Sequence, residues 1–142
     1  MANSLRVRGI LETSVYVDDL DRAHAFYGDI LGLERMVSGD RLSAYDAAPG
    51  ETLLVFLRGA TSQDVPTSGG LVPGHHSEGP SHFAFKVAKA DLNAWRAHFA
   101  QAGVSIVSEV TWPAGGVSLY VNDPDGNVVE FAAPALWPNY RE

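Results

Sequence analysis

Two stretches of alternating apolar and polar residues, each followed by a helix-period stripe, organise the chain. In residues 9–17, Leu11, Thr13, Val15 and Val17 share one face of a strand, and Ile10, Glu12, Ser14 and Tyr16 share the other. The first face suits packing against a helix, and the mixed second face suits the wall of a pocket. Asp18-Asp19-Leu20-Asp21 then opens a helix, because an Asp cap and an acidic first turn satisfy free N–H groups and oppose the dipole. Ala23, Phe26, Tyr27, Ile30 and Leu31 form its buried stripe, and Gly32 fits the stop. His24 falls off the stripe and is expected to be exposed. Residues 33–38, 42–47 and 52–58 read as three strands, and the last is apolar on both faces, which predicts a central position.

The order then repeats. Ser81-His82-Phe83-Ala84-Phe85-Lys86-Val87 reads as a strand with His82, Ala84 and Lys86 on one face. A second helix carries the stripe Leu92, Trp95, Phe99 and Ala102 and ends at Gly103, with His98 beside the stripe as a structural or exposed residue. Residues 104–110, 116–122 and 127–132 read as three more strands. The pattern is strand, helix, three strands, twice over, an internal repeat. It predicts an α+β fold of two βαβββ modules. Residues 1–60 form the first module, 61–80 a loop or linker, and 81–142 the second module with a C-terminal tail, in one compact domain overall.

The repeat gives polar residues a context. Asn122-Asp123-Pro124-Asp125-Gly126-Asn127 is a tight turn, and alternation in the strand after it should turn Glu130 inward. A buried carboxylate is costly without a cation or donors beside it. Overlaying the modules places Glu12 on His82, and overlaying Leu53-Leu54-Val55-Phe56 on Val128-Val129-Glu130-Phe131 places Val55 on Glu130. Glu12 alone favours a solvated face, but the repeat groups Glu12, His82 and Glu130 and raises a metal-binding reading. In the Gly- and Pro-rich stretch 59–81, His75-His76 is expected to be a solvated loop pair rather than a metal-binding one.

Composition narrows the chemistry. The chain has 142 residues, 46% of them hydrophobic, enough for one core. A net charge of −7 argues against nucleic-acid binding. No apolar run suits a bilayer, and the stretch Met1-Ala2-Asn3-Ser4-Leu5-Arg6 has no apolar signal core, so a cytoplasmic protein without membrane partners is expected. The absence of cysteine excludes disulfides, thiolate-held metals and thiol nucleophiles. Any metal is left to His, Asp and Glu.

Three segments carry a resemblance: Tyr16-Val17-Asp18-Asp19-Leu20 leading to Phe26-Tyr27-Gly28-Asp29-Ile30-Leu31-Gly32-Leu33, then Ser81-His82-Phe83-Ala84-Phe85, then Asp123-Pro124-Asp125-Gly126-Asn127-Val128-Val129-Glu130-Phe131. With them the chain resembles the vicinal oxygen chelate superfamily, which includes glyoxalase I, extradiol dioxygenases, fosfomycin-resistance enzymes and bleomycin-binding proteins. The resemblance implies that the two βαβββ modules form a cupped mixed sheet, with metal ligands projecting into the cup from first and last module strands, here Glu12, His82 and Glu130. The fourth position used by glyoxalase I falls on Val55, which cannot bind metal. A three-ligand site matches the dioxygenase and fosfomycin-resistance branches, although those usually carry His at the place of Glu12.

Such a site implies a divalent ion, Zn²⁺, Mn²⁺, Fe²⁺ or Ni²⁺, acting as a Lewis acid on a small substrate with two neighbouring oxygens. The implied activity is that of a metal-dependent lyase or isomerase of the glyoxalase kind, or of a dioxygenase, with Glu12 and Glu130 as catalytic candidates and Glu12 an alternative general base. Lys86 and Tyr120 are either substrate-orienting residues or plain surface and packing. The competing reading is a metal-free cup that binds a drug or antibiotic, the bleomycin-resistance use. Modules of this family pair within a chain or across a homodimer, and the tail Leu136-Trp137-Pro138-Asn139-Tyr140 offers apolar surface for a partner or for self-packing.

Overall fold

Residues 4–141 are described by a computed structural model; Met1, Ala2, Asn3 and Glu142, and with them half of the stretch read for a signal core, lie outside the described residues. Strands β1 (Glu12–Val17), β2 (Glu34–Ser38), β3 (Leu42–Ala48) and β4 (Glu51–Leu57) form one sheet in the order β1-β4-β3-β2. After β5 (Val65–Thr67) and β6 (Gly70–Val72), strands β7 (His82–Lys86), β8 (Ser108–Thr111), β9 (Val117–Asn122) and β10 (Val128–Ala133) form a second sheet in the order β7-β10-β9-β8. In each sheet the first and last strands of the module run parallel and the remaining pairs run antiparallel. The two modules share one topology, as the repeat predicts. Among the described residues no helix is long and apolar enough to cross a membrane.

Helix α1 (Leu20–His24) begins at Asp19, whose carboxylate accepts from the Arg22 N–H at 2.9 Å, and widens into a π-helical turn over Ala25–Ile30. Helix α2 (Leu92–Ala102) follows a 3₁₀ turn and ends at Gly103 with φ +74°. The two helices and the inner faces of both sheets meet in one core. Val15, Val17, Tyr27, Leu53 and Val55 from the first module join Phe83, Phe99, Leu119, Val129 and Phe131 from the second. Each fully buried side chain of this kind contributes roughly 1.5–3 kcal/mol.

Two expectations are corrected here. His24 is not an exposed surface residue: its Nδ1 lies 2.9 Å from the Tyr45 hydroxyl, and its ring stacks on Tyr45 at 5.8 Å. Gly28 makes the space, since a Cβ there would lie 2.1 Å from the imidazole. Residues 104–107 do not begin a strand. Val104 instead closes helix α2 by donating to the Phe99 carbonyl at 2.8 Å, and Val104 and Ile106 pack on the core as irregular chain.

Stretch 59–81 is not structureless. It holds the β5-β6 hairpin and then folds back, with the His75 N–H donating to the Thr61 carbonyl at 2.7 Å. The His75 ring meets the Phe56 ring edge-on at 4.7 Å, and its Nδ1 pairs closely with the Tyr16 hydroxyl. His75 is therefore held against the first sheet, whereas His76 pairs with Glu78 at 3.1 Å.

Candidate functional site

The turn before β10 builds the site. Gly126 adopts φ +82°, which glycine takes without a side-chain penalty. Asp123 Oδ1 accepts from the Asp125 and Asn127 N–H groups, both at 2.9 Å, so one buried carboxylate holds the turn. The same turn ties the modules together. Tyr27 donates to Asp123 Oδ2 at 2.7 Å, Arg22 pairs with Asp125 at 2.9 Å, and Asn127 Nδ2 donates to the Tyr16 carbonyl at 3.2 Å. Asn127 Oδ1 also accepts from the Ser81 N–H at 2.9 Å, which sets the start of β7 beside the start of β10.

His82 and Glu130 meet as a result. Their strands are parallel neighbours, with His82 opposite Val128 and Ala84 opposite Glu130. His82 Nδ1 lies 2.9 Å from the Val128 carbonyl, an acceptor only, so Nδ1 carries the proton it donates. Nε2 points instead at Glu130 Oε1, 3.2 Å away. Glu130 is buried and His82 half-exposed, so the pair opens to solvent on the imidazole side.

The second carboxylate oxygen is engaged from below. Ser118, fully buried on β9, pairs closely with Glu130 Oε2, and Trp112 Nε1 donates to Ser118 Oγ at 2.8 Å. The Tyr120 ring lies 6.2 Å from the His82 ring. Burial first, and the Glu130 carboxylate second, push the Tyr120 phenol above its ordinary range, so it stays a neutral hydroxyl. His82, Trp112, Tyr120 and Glu130 line a cavity of about 760 Å³, bordered by the tail through Leu136, Trp137 and Tyr140. Ser118 and Trp112 are absent from the sequence reading. The signal was available for Ser118, a polar residue in phase with Tyr120 and set between apolar Val117 and Leu119.

Glu12 does not join the pair. It is exposed on the edge strand β1 and borders a smaller hollow of about 370 Å³ with Glu51 and Lys86. Among the described residues, no group of three or more His, Asp and Glu converges as a metal cage. The donor chemistry fits a metal at two positions. His82 presents a free Nε2 with its other nitrogen anchored on a carbonyl, and Glu130 presents one oxygen with the other anchored on a hydroxyl. Among the described residues, one chain brings no third His, Asp or Glu there.

The register also moves the fourth position. Glu12 pairs with Thr52 and His82 with Val128, so the counterpart of Glu130, two residues on, is Leu54 rather than Val55. Val55 pairs with Val15 and is fully buried in the core. The sequence overlay slipped by one residue, which in a strand exchanges the faces. Leucine is no better a ligand than valine.

A family model described as the Glyoxalase/Bleomycin resistance protein/Dioxygenase superfamily matches residues 9–131. Among solved structures, the chain is similar to a lactoylglutathione lyase from Agrobacterium tumefaciens, at 33% identity and a TM-score of 0.84, covering 93% of this chain and 98% of that one. An integron cassette protein from the mobile metagenome of the Halifax Harbour sewage outfall aligns at 23% identity and TM-score 0.71, over 90% of this chain and 100% of that one. The oxidase ChaP-H2 aligns at 19% identity and TM-score 0.66, over 92% and 97%. These last two share the fold.

Proposed function

Because this chain belongs to the glyoxalase/bleomycin resistance protein/dioxygenase superfamily, we propose that it is a metal-dependent enzyme acting on a small substrate with two neighbouring oxygens. The observation that carries the reading is the His82–Glu130 pair, 3.2 Å apart, with each partner anchored so that one donor atom is free. The lyase-like form of the reaction is favoured by the 33% identity to a lactoylglutathione lyase. A dioxygenase-like reaction is the other form.

His82 and Glu130 hold the metal, and Glu12 of a second copy of the chain is the third ligand. Glu12 is exposed on the edge strand of its sheet, and His82 lies on the edge strand of the other. A symmetric dimer that faces the two edges would form two such sites. When bound, a Zn²⁺, Mn²⁺, Fe²⁺ or Ni²⁺ ion supplies a Lewis acid that stabilises charge developing on a chelating oxygen. The chain's part is to fix the donors, to present the Tyr120 hydroxyl neutral beside them, and to shield the cavity from water with the tail.

The test is metal content of protein purified without chelator, with His82→Ala alongside. Stoichiometric metal that is lost in the variant supports the proposal, and no metal in either protein sinks it. Isomerisation of a thiol–ketoaldehyde adduct and oxygen consumption with catechols then separate the two reaction forms. A metal-free binding cup is the second reading, favoured by the convergence of two donors, rather than three, among the described residues of one chain. It requires ligand binding that survives in protein without metal.

A further inference from the structure

The cavity beside His82 and Glu130 has a charge its surroundings do not predict. The chain carries a net charge of −7, yet Lys86 and Arg141 both line the cavity. Among the described residues neither forms an ion pair, whereas Arg22, Arg58 and Arg96 each hold a carboxylate. Lys86 also borders the hollow of Glu12 and Glu51 without an ion pair to either. On β7, Lys86 follows His82 by four residues and so shares its face. Their Cα atoms are roughly 13 Å apart at about 3.3 Å per residue.

Between these two ends the walls are aromatic. Trp112 is oriented by its bond to Ser118, and Tyr120 lies beside His82. Trp137 overhangs the cavity from the tail with 73% of its surface exposed. A large exposed ring at the rim of a concave site is surface a ligand covers. Rings of this kind favour a flat apolar partner over a flexible polar one, because they bury area with little rotamer entropy lost.

We propose that the cavity binds an anionic ligand with a flat aromatic body, whose negative group is held by Lys86 and whose ring lies against Trp137. This rests on the site assigned above and names the substrate class for it, independently of the metal. A carboxylate on such a ligand gains a charge-assisted contact that a neutral amide of the same shape lacks.

The test is tryptophan fluorescence quenching of the full chain by 1-naphthoate, 1-naphthamide and S-methylglutathione, with and without chelator. Expected is an affinity about ten-fold higher for naphthoate than for naphthamide, the worth of one hydrogen bond to a charged group. Lys86→Met abolishes that preference, Lys86→Arg keeps it, and Trp137→Ala weakens both naphthyl ligands. Lys86 is exposed on an edge strand and Trp137 is exposed on the tail, so these substitutions leave the core untouched. Equal affinity for naphthoate and naphthamide, a preference unchanged by Lys86→Met, or tighter binding of S-methylglutathione overturns the proposal. Failure of the metal reading would register separately, in the metal content of the wild type and His82→Ala.

Discussion

Ser118 donates its hydroxyl proton to Oε2 of Glu130, and a third residue decides that direction. The Trp112 indole N–H is a donor only, and it points at Ser118 Oγ from 2.8 Å. The serine oxygen accepts there, so its proton is free for the carboxylate. With Oε2 held in this way, Oε1 stays turned toward His82.

Ser118→Ala removes the middle of this chain and leaves the Trp112 N–H and Glu130 Oε2 without partners. Denaturant unfolding should show a loss of about 1–3 kcal/mol. Metal titration should show an affinity about 10–100-fold weaker, the usual worth of a group that orients a ligand. Ser118→Thr keeps the hydroxyl and should recover most of the metal affinity. Unchanged affinity in Ser118→Ala would mean that the contact only fills space.

A site shared between two copies makes a mixing prediction. Glu12→Ala and His82→Ala homodimers each lack a ligand at both sites. Unfolded together and refolded, they should form heterodimers with one intact site, restoring about a quarter of wild-type activity, since half the dimers are mixed and each has one of two sites. No recovery on mixing, with both variants folded, argues against Glu12 acting across the dimer.

Tyr27 links stability to alkaline pH. Burial first, and then the Asp123 carboxylate, hold its phenol far above the ordinary tyrosine range. The folded group keeps its proton where the unfolded group, with a pKa of about 10, gives it up. The stabilisation is therefore complete below pH ~10 and is lost progressively as pH rises above it. Tyr27→Phe should flatten this alkaline loss. At neutral pH it should cost about 1–3 kcal/mol, because Asp123 Oδ2 keeps only the bond from Asn127 Nδ2. Unfolding free energies of both proteins from pH 7 to 11 test the point.

Gly116 lets the tail close over the cavity. Its N–H donates to the Ala135 carbonyl at 3.0 Å, and a Cβ there would lie 2.5 Å from that oxygen and 2.7 Å from the Ala133 carbonyl. Both obstacles are backbone, so Gly116→Ala should lift the tail and cost about 1–3 kcal/mol. Hydrogen exchange in peptides covering 133–141 should speed up while the helix α2 peptides stay protected. Equal protection in both proteins would count against this role for the glycine.

The sequence by itself determined the two modules. Alternation in β1, β7 and β10 and the stripes of the two helices are local patterns, readable because each strand buries one face and each helix one stripe. They also set Glu12 and His82 at equivalent positions of the two first strands and turned Glu130 inward. The inward aim of Glu130 followed from alternation in the strand after the turn at Asp123 to Asn127, where Gly126 and one side-chain acceptor, Asp123 Oδ1, leave the backbone few choices.

Only the tertiary structure decided which of these residues meet. Register across parallel strands depends on contacts far apart in sequence, so the overlay could slip from Leu54 to Val55 without breaking a local rule. His24 reads as surface until Tyr45 and Gly28 are packed around it. Ser118 and Trp112 acquire a role because a buried carboxylate must find donors, and these come from a neighbouring strand and the turn before it. His82 and Glu130 converge because their strands are hydrogen-bonded neighbours, and Glu12 stays apart because β1 lies at the edge of a different sheet.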